Sequence, residues 1–205
     1  MRAIRIIALC SGLFTAVLLI GMFWVTRLWR DAYDQGQLDY LVERAKSAPE
    51  LPTSFVKTLR SVYPTVLEHG YSMHLLRQLS GDREYGPCPC RQLALTVMPD
   101  HSQMKRSGRP LYPVSFTWAL EDRVTQEQCM ALLLDQYDFM NGIRGIGNAS
   151  LEYYGDSLTN LNDDQYLELI LRIKNPVLYS KARRPELFTA EFERLKTLAS
   201  KHRLQ

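Results

Sequence analysis

The chain has 205 residues, enough for one domain and a membrane anchor. Its 25 basic and 22 acidic side chains leave a net charge of only +3. No basic stretch interleaved with aromatic residues is present, so the composition argues against a general nucleic-acid binder, and we expect no nucleic-acid partner.

The N-terminal region predicts a membrane anchor. Ile6 to Val25 is an uncharged, mostly apolar run. As a helix of about 20 residues it would be roughly 30 Å long, which matches the hydrocarbon core of a bilayer. A cleaved signal peptide is the alternative, but the run is long and no small-residue cleavage site follows it. We therefore predict a short tail and one transmembrane helix within residues 1–30. Residues typical of a membrane interface flank it: Arg2, Arg5, Trp24, Arg27, Trp29 and Arg30.

The arginines alone do not distinguish the two orientations of this anchor in the membrane, because two arginines flank each end. Asp31 and Asp34 follow the second pair and favour an N-terminus in the cytoplasm, with the bulk of the chain outside.

The rest of the chain predicts helices in series. Residues 31–50 are interpreted as a membrane-proximal helix, continuing from the anchor, and a linker marked by prolines; residues 51–205 form the domain. Thr125-x-x-Gln128 and Asn162-x-x-Gln165 are capping boxes that begin two of the domain's helices. No alternating strand pattern is present, so the predicted class is mainly α, with at most one short hairpin.

The four cysteines leave two interpretations open. Cys10 lies in the anchor, whereas Cys88, Cys90 and Cys129 lie in the domain. An oxidising compartment would allow a disulfide from Cys129 to Cys88 or Cys90; buried or free thiols are the alternative. A zinc site would need a fourth ligand and the usual spacing of two residues, which Cys-Pro-Cys lacks. We therefore predict no metal and no cofactor.

Two local groups are candidates for acid–base chemistry. Glu68-His69-Gly70 places a carboxylate beside an imidazole, and Glu121-Asp122 is a carboxylate pair of the kind used on glycosidic bonds. Adjacent residues on a helix point apart, so the alternative for each group is a solvated helix end.

One glycine- and tyrosine-rich run carries a family resemblance. It reads Gly145-Ile146-x-x-Ala149-x-x-x-Tyr153-Tyr154-Gly155-x-Ser157-Leu158-x-x-Leu161, followed by Leu169 and Pro176-x-x-Tyr179-Ser180. It resembles the peptidoglycan glycosyltransferase domain (glycosyltransferase family 51) of class A penicillin-binding proteins and monofunctional transglycosylases. The resemblance extends from about Leu51 to Arg194 and includes Leu120-Glu121, Thr125 to Met130 and Gly86 to Ala94.

The resemblance implies a fold, a location and a reaction. The fold would be a mainly α, lysozyme-like domain of two lobes behind the transmembrane helix, on the outer face of the bacterial cytoplasmic (inner) membrane. The reaction would polymerise a lipid-linked disaccharide precursor into glycan strands, with one glutamate as general base and a second supporting catalysis and metal or pyrophosphate handling. Implied partners are the membrane, the glycan strand or lipid-linked precursor, and other cell-wall synthesis proteins.

Carried over residue by residue, the catalytic glutamates are not matched. The family's E-D-x-x-F-x-x-H-x-G falls on residues 62–70, which places Tyr63 at the first glutamate, or Val62 in another register. The family's R-K-x-x-E falls on residues 109–113, so Pro113 replaces the second glutamate. Gln126 stands at the lysine of the family's S-K-D-E.

We therefore predict a catalytically degenerate member that acts as a binding or assembly factor in cell-wall synthesis, with Gln92 and Arg109 as ligand-binding candidates. The basic cluster Lys181, Arg183 and Arg184 is a further candidate for contacting phosphate or partner surfaces, with ordinary surface charge as the alternative. The alternative is an active glycosyltransferase in which Glu68 or Glu121 serves as a relocated general base. A third possibility is that the resemblance is coincidental.

Overall fold

The computed structural model describes residues 2–81, 86–99 and 109–203. Within these residues the chain is helical, and paired extended backbone is limited to one antiparallel bridge between Asp138 and Arg144. The predicted mainly α class is confirmed. The helices are α1 Arg2–Arg27, α2 Gln35–Ser47, α3 Thr53–Val62, α4 Tyr71–Leu79, α5 Pro89–Thr96, α6 Tyr112–Glu121, α7 Gln126–Gln136, α8 Ile146–Tyr154, α9 Asp163–Lys174 and α10 Pro185–Arg203, with 3-10 turns at Leu28–Asp31 and Leu158–Asn160.

The first helix has the properties expected of a membrane span. The stretch Ser11–Asp31 is long and apolar enough to cross a bilayer, and its most apolar part is not buried against the rest of the protein. Large apolar side chains from Leu13 to Trp24 are 52–69% exposed. A helix that is apolar all round and uncovered by protein suits a lipid environment.

The helix is interrupted between Arg27 and Gln35, so the prediction that the second helix continues the anchor was wrong. Asp34 begins a new helix: its carboxylate accepts from the Gly36 N–H (3.2 Å), and the Gln37 side chain accepts from the Asp34 N–H (2.9 Å). Such a capping box supplies partners for amides that a continuing helix would pair internally.

Two hydrophobic cores lie on opposite sides of α7. The anchor-side core is built from the Leu28–Asp31 turn, α2, α5, α6 and one face of α7, and the distal core from α3, α8, α9, α10 and the other face of α7. Cys129 and Leu132 face the first core, whereas Met130, Leu133 and Leu134 face the second. The two cores are the two lobes expected from the resemblance, and α7 is their shared wall.

A disulfide joins Cys90 of α5 to Cys129 of α7 within the anchor-side core, with a Cα–Cα distance of 5.0 Å. Of the two partners left open for Cys129, Cys90 is the one used, and Cys88 remains a buried thiol. The Cys90–Cys129 bond joins residues that are 39 positions apart, so it restricts the conformations of the unfolded chain. Disulfides of this kind persist in oxidising compartments.

The segment that follows the anchor is fixed to α6 by one buried hydrogen bond and by aromatic contacts. The Trp29 N–H donates to Ser115 Oγ (2.9 Å), and both residues are buried. Phe116 meets the edge of the Trp29 ring (centroids 5.7 Å apart) and stacks on Tyr33 (4.1 Å). These contacts attach the end of α1 to the domain.

Ser115→Ala is expected to lower the free energy of unfolding by roughly 1–3 kcal/mol, because it leaves the buried Trp29 N–H without an acceptor. Denaturant unfolding of the detergent-solubilised chain measures this. Thr96→Ala is the control, since the Thr96 hydroxyl donates only to the Leu93 carbonyl of its own helix. Equal losses in the two variants would contradict the role given to Ser115.

Candidate functional site

The carboxylate of Glu121, at the end of α6, lies against the beginning of α4. Its Oε1 accepts from the Tyr71 N–H at 2.8 Å. Gly70 is the N-cap of α4 and offers no side-chain cap. A carboxylate there satisfies an amide that has no partner within the helix and interacts favourably with the helix dipole. A Cβ at Gly70 would lie 3.2 Å from Glu121 Oε2, so glycine permits the close approach.

Gln126, the first residue of α7, extends this contact to α5. Its Nε2 donates to Glu121 Oε1 (2.5 Å), and its Oε1 accepts from the Cys90 N–H (3.1 Å) near the start of α5. The single S–H of Cys88 lies within hydrogen-bond distance of both side chains, at 3.7 Å from Glu121 Oε1 and 3.6 Å from Gln126 Oε1, and is shared between them. We call these five residues (Tyr71, Cys88, Cys90, Glu121 and Gln126) the Glu121 brace. It ties the beginnings of α4, α5 and α7 to the end of α6.

Burial raises the pKa of two groups in the brace, Glu121 and Cys88. Burial raises the pKa of Glu121, although hydrogen bonds from the Tyr71 amide, Gln126 and Cys88 oppose the rise. Burial, with a further contribution from the Glu121 charge, raises the pKa of the Cys88 thiol to about 12. Cys88 is therefore a protonated donor at neutral pH and has no nucleophilic thiolate character.

A small cavity of about 20 Å³ lies beside the brace, large enough for about one water molecule. His69, His74, Arg77 and Cys88 are among its lining residues. The His69 Nδ1 is buried and has no hydrogen-bond partner within the described residues. Glu68 is exposed, whereas His69 is half-buried, and no hydrogen bond between their side chains is present in this described segment.

The two positions that the resemblance assigns to the family's glutamates carry no carboxylate. Tyr63 is buried, and its ring packs against Gly86, where an added Cβ would lie 2.7 Å from the ring. Burial raises the pKa of Tyr63, with Lys174 and Arg194 opposing it. Pro113 is buried in the first turn of α6.

Another carboxylate, Glu191 of α10, acts electrostatically on Tyr63 but is occupied by two cations. Lys174 and Arg194 each donate to it at 2.7 Å. Burial alone would raise the pKa of Glu191, but the hydrogen bonds and charges of Lys174 and Arg194 outweigh burial and lower it. A carboxylate whose charged form is favoured in this way is a poor proton acceptor near neutral pH.

The remaining predicted site residues are dispersed. Gln92 is half-buried on α5, and Arg109 is half-buried three residues before α6. Asp122 is exposed at the end of α6 and does not join Glu121 as a paired carboxylate.

The glycine- and tyrosine-rich run serves the scaffold. Gly145 is the N-cap of α8 with φ +88°, and a Cβ there would meet the Asp135 carbonyl oxygen at 2.7 Å. Gly155 ends the same helix at φ +70°. The Tyr153 hydroxyl donates to the Phe139 carbonyl (2.8 Å) within the distal lobe. These residues position α8, and the structural interpretation of the run is supported.

Comparison with known proteins identifies the family. The sequence profile of a family described as transglycosylase matches residues 90–200, more than half of the chain. The chain belongs to the transglycosylase family. The match spans α5 to α10, so the possibility of a coincidental resemblance is excluded. It begins after residues 62–70, so the register that places Tyr63 at the family's first glutamate stays a prediction. Among curated proteins, no match to this transglycosylase-family chain was found.

Sequence reasoning did not find the brace. The sequence singled out Glu121 as half of a carboxylate pair, as part of the family resemblance and as a possible relocated base, and Gln126 as the residue at the family's lysine position. The capping box drew attention to Thr125 and Gln128, whereas the buried side chain is that of Gln126. Nothing local marks the contact between Tyr71 and Glu121, which are 50 positions apart.

Because the folded protein holds a proton on Glu121 more tightly than the unfolded chain does, stability should fall as pH rises through and above the ordinary glutamate pKa. Glu121→Gln keeps an acceptor oxygen without the charge, so its free energy of unfolding should lose this pH dependence. Glu121→Ala leaves the Tyr71 amide and the Gln126 Nε2 donor unpaired and should cost roughly 2–4 kcal/mol. Denaturant unfolding between about pH 4.5 and 7.5 measures both effects.

Asp122→Asn is the matched control, because it removes a neighbouring exposed charge and should leave the pH profile nearly unchanged. A Glu121→Gln profile identical to that of the wild type would contradict the assignment.

Proposed function

We propose that this chain is a membrane-anchored, non-catalytic member of the transglycosylase family. It binds a glycan strand or the lipid-linked disaccharide precursor and works as a binding or assembly factor in cell-wall synthesis. One observation carries the proposal: Glu121, the carboxylate that contacts the His69–Tyr71 region, has three hydrogen-bond donors around it in the brace. The resemblance adds the expectation that Tyr63 and Pro113 occupy the family's glutamate positions.

The chemistry favours loss of turnover. A general base contributes typically ~10²–10⁴-fold to a rate, and an electrostatic stabiliser a similar factor. Proline has no proton acceptor, and a buried tyrosine with a raised pKa is not an acceptor at neutral pH. A chain lacking both glutamates should therefore polymerise precursor at close to the background rate.

The proposed location is the bacterial cytoplasmic (inner) membrane, with a single span and the domain on the periplasmic or extracellular side. The apolar first helix supports the anchor. The Cys90–Cys129 disulfide supports an oxidising compartment for the domain. Gln92 and Arg109 remain the proposed ligand-binding residues, since an amide and a guanidinium suit sugar hydroxyls and phosphate oxygens.

An active glycosyltransferase is the second candidate. Its support is specific to Glu121: burial raises the pKa of this carboxyl group, and the side chain lines an open cleft. A general base poised nearer neutral pH has that property. Glu68, the other relocated base considered, is exposed and has no comparable support.

Incubation of the detergent-solubilised full chain with lipid-linked disaccharide precursor, followed by gel separation of glycan products, decides between the two. We expect no polymer above a protein-free control, from either the wild type or Glu121→Gln. Processive strands made by the wild type and abolished in Glu121→Gln, with Glu68→Gln as the comparison, would overturn the non-catalytic proposal. Strands made by the wild type and abolished in Glu68→Gln instead would also overturn the non-catalytic proposal.

The same samples test binding. Retention of labelled precursor by the wild type should weaken in Gln92→Ala/Arg109→Ala, while Lys57→Ala, exposed on α3, should retain it fully. Absence of any retention would contradict the proposed binding role independently of the polymerisation result.

A further inference from the structure

A cleft of about 600 Å³ lies where the first helix meets the domain, outside the brace except for Glu121 at its edge. One wall is the end of α1 and the 3-10 turn after it, and the other is the end of α6, with Ser72 of α4 beside it. The volume suits the head group of a small amphiphile. Its lining residues are Met22, Thr26, Arg27, Trp29, Arg30, Gln35, Leu38, Ser72, Trp118, Ala119, Glu121, Asp122 and Arg123.

The wall formed by the anchor carries positive charge without an ion-pair partner in the described part of the chain. Arg27 and Arg30 are exposed, and within the described residues neither has an ion-pair partner. Each guanidinium instead lies over an aromatic ring, Arg27 at 3.9 Å from the Phe23 centroid and Arg30 at 5.4 Å from that of Trp29. Arg123, on the opposite wall, is already paired with Asp39. The acidic residues Glu121 and Asp122 also lie on that opposite wall, so an anion is favoured on the α1 side.

Trp118 supplies a second, independent observation. Its indole Nε1 is buried and has no hydrogen-bond partner among the described atoms, yet the residue lines the cleft. A buried donor left unpaired costs free energy, and a ligand oxygen that reached the indole from the cleft would remove that cost.

The position of the cleft indicates where that acceptor comes from. Arg27 ends α1 and follows Trp24, so the cleft opens at the level of the polar head groups if α1 spans the bilayer. Met22 and Leu38 give its lining an apolar part next to the helix. Phosphate at the Arg27 and Arg30 wall, with acyl chains along the exposed side of α1, satisfies both the charge and the apolar surface.

We propose that this cleft binds the phosphodiester group of a membrane glycerophospholipid, held by Arg27 and Arg30 with Trp118 donating to an oxygen of the lipid. The site goes beyond the proposed function and requires only that α1 lie in the membrane. A bound lipid there would fix the angle between the anchor and the anchor-side lobe.

Native mass spectrometry of the purified full chain in detergent tests the site, with phosphatidylglycerol, phosphatidylethanolamine and phosphate-free diacylglycerol as probes. Both phospholipids should form one-to-one adducts, and diacylglycerol should not. Arg27→Gln/Arg30→Gln should reduce adduct occupancy at least about tenfold, as expected for the loss of two basic contacts to a lipid phosphate. Trp118→Phe, which keeps the ring but removes the donor, should weaken the adduct by roughly threefold or more.

Lys57→Gln/Arg144→Gln is the matched control, since it removes two exposed cations outside the cleft and should leave occupancy unchanged. An equal loss in this control, or equal binding of diacylglycerol, would overturn the proposal. Displacement of the lipid by millimolar inorganic phosphate would show a site for free phosphate and would also overturn it. Stronger binding of the lipid-linked disaccharide precursor at the same arginines would assign the cleft to that precursor instead.

Discussion

The architecture of the anchor-side lobe depends on one half-buried carboxylate. Removing Glu121 from water is unfavourable, as the raised pKa shows, and its position is stable because three donors converge on it. Gly70, which has no side chain, leaves room for this close approach, and Gln126 connects Glu121 to the Cys90 amide of α5. A side chain with this many structural partners has little freedom to take up and release a proton during a reaction.

The helix α7 connects this brace to the rest of the molecule. It begins with Gln126 in the brace, continues with Cys129 in the disulfide, and then presents Leu133 to the distal core. A substitution that shifts α7 would therefore alter the packing of both lobes. The family match, residues 90–200, covers the whole of this helix.

Local features of the fold were predictable, and contacts between distant segments were not. The capping boxes that begin at Thr125 and Asn162 are where the sequence places them, because each is completed within four residues. The equivalent box at Asp34 was overlooked, so the break after the anchor was missed. The contact of Glu121 with the Tyr71 amide joins residues 50 apart, and the choice of Cys90 over Cys88 depends on how α5 packs on α7. Neither outcome is encoded in periodicity or spacing.

The central claim is that Glu121 serves the fold, and hydrogen exchange at the Tyr71 backbone amide tests it most directly. In the wild type this amide donates to the Glu121 carboxylate, so it should exchange slowly relative to a free helix end. Glu121→Ala should accelerate its exchange roughly fivefold or more, as expected for the loss of a capping interaction of about 1 kcal/mol, and Glu121→Gln should restore most of the protection. Unchanged exchange at Tyr71 in Glu121→Ala would contradict the account.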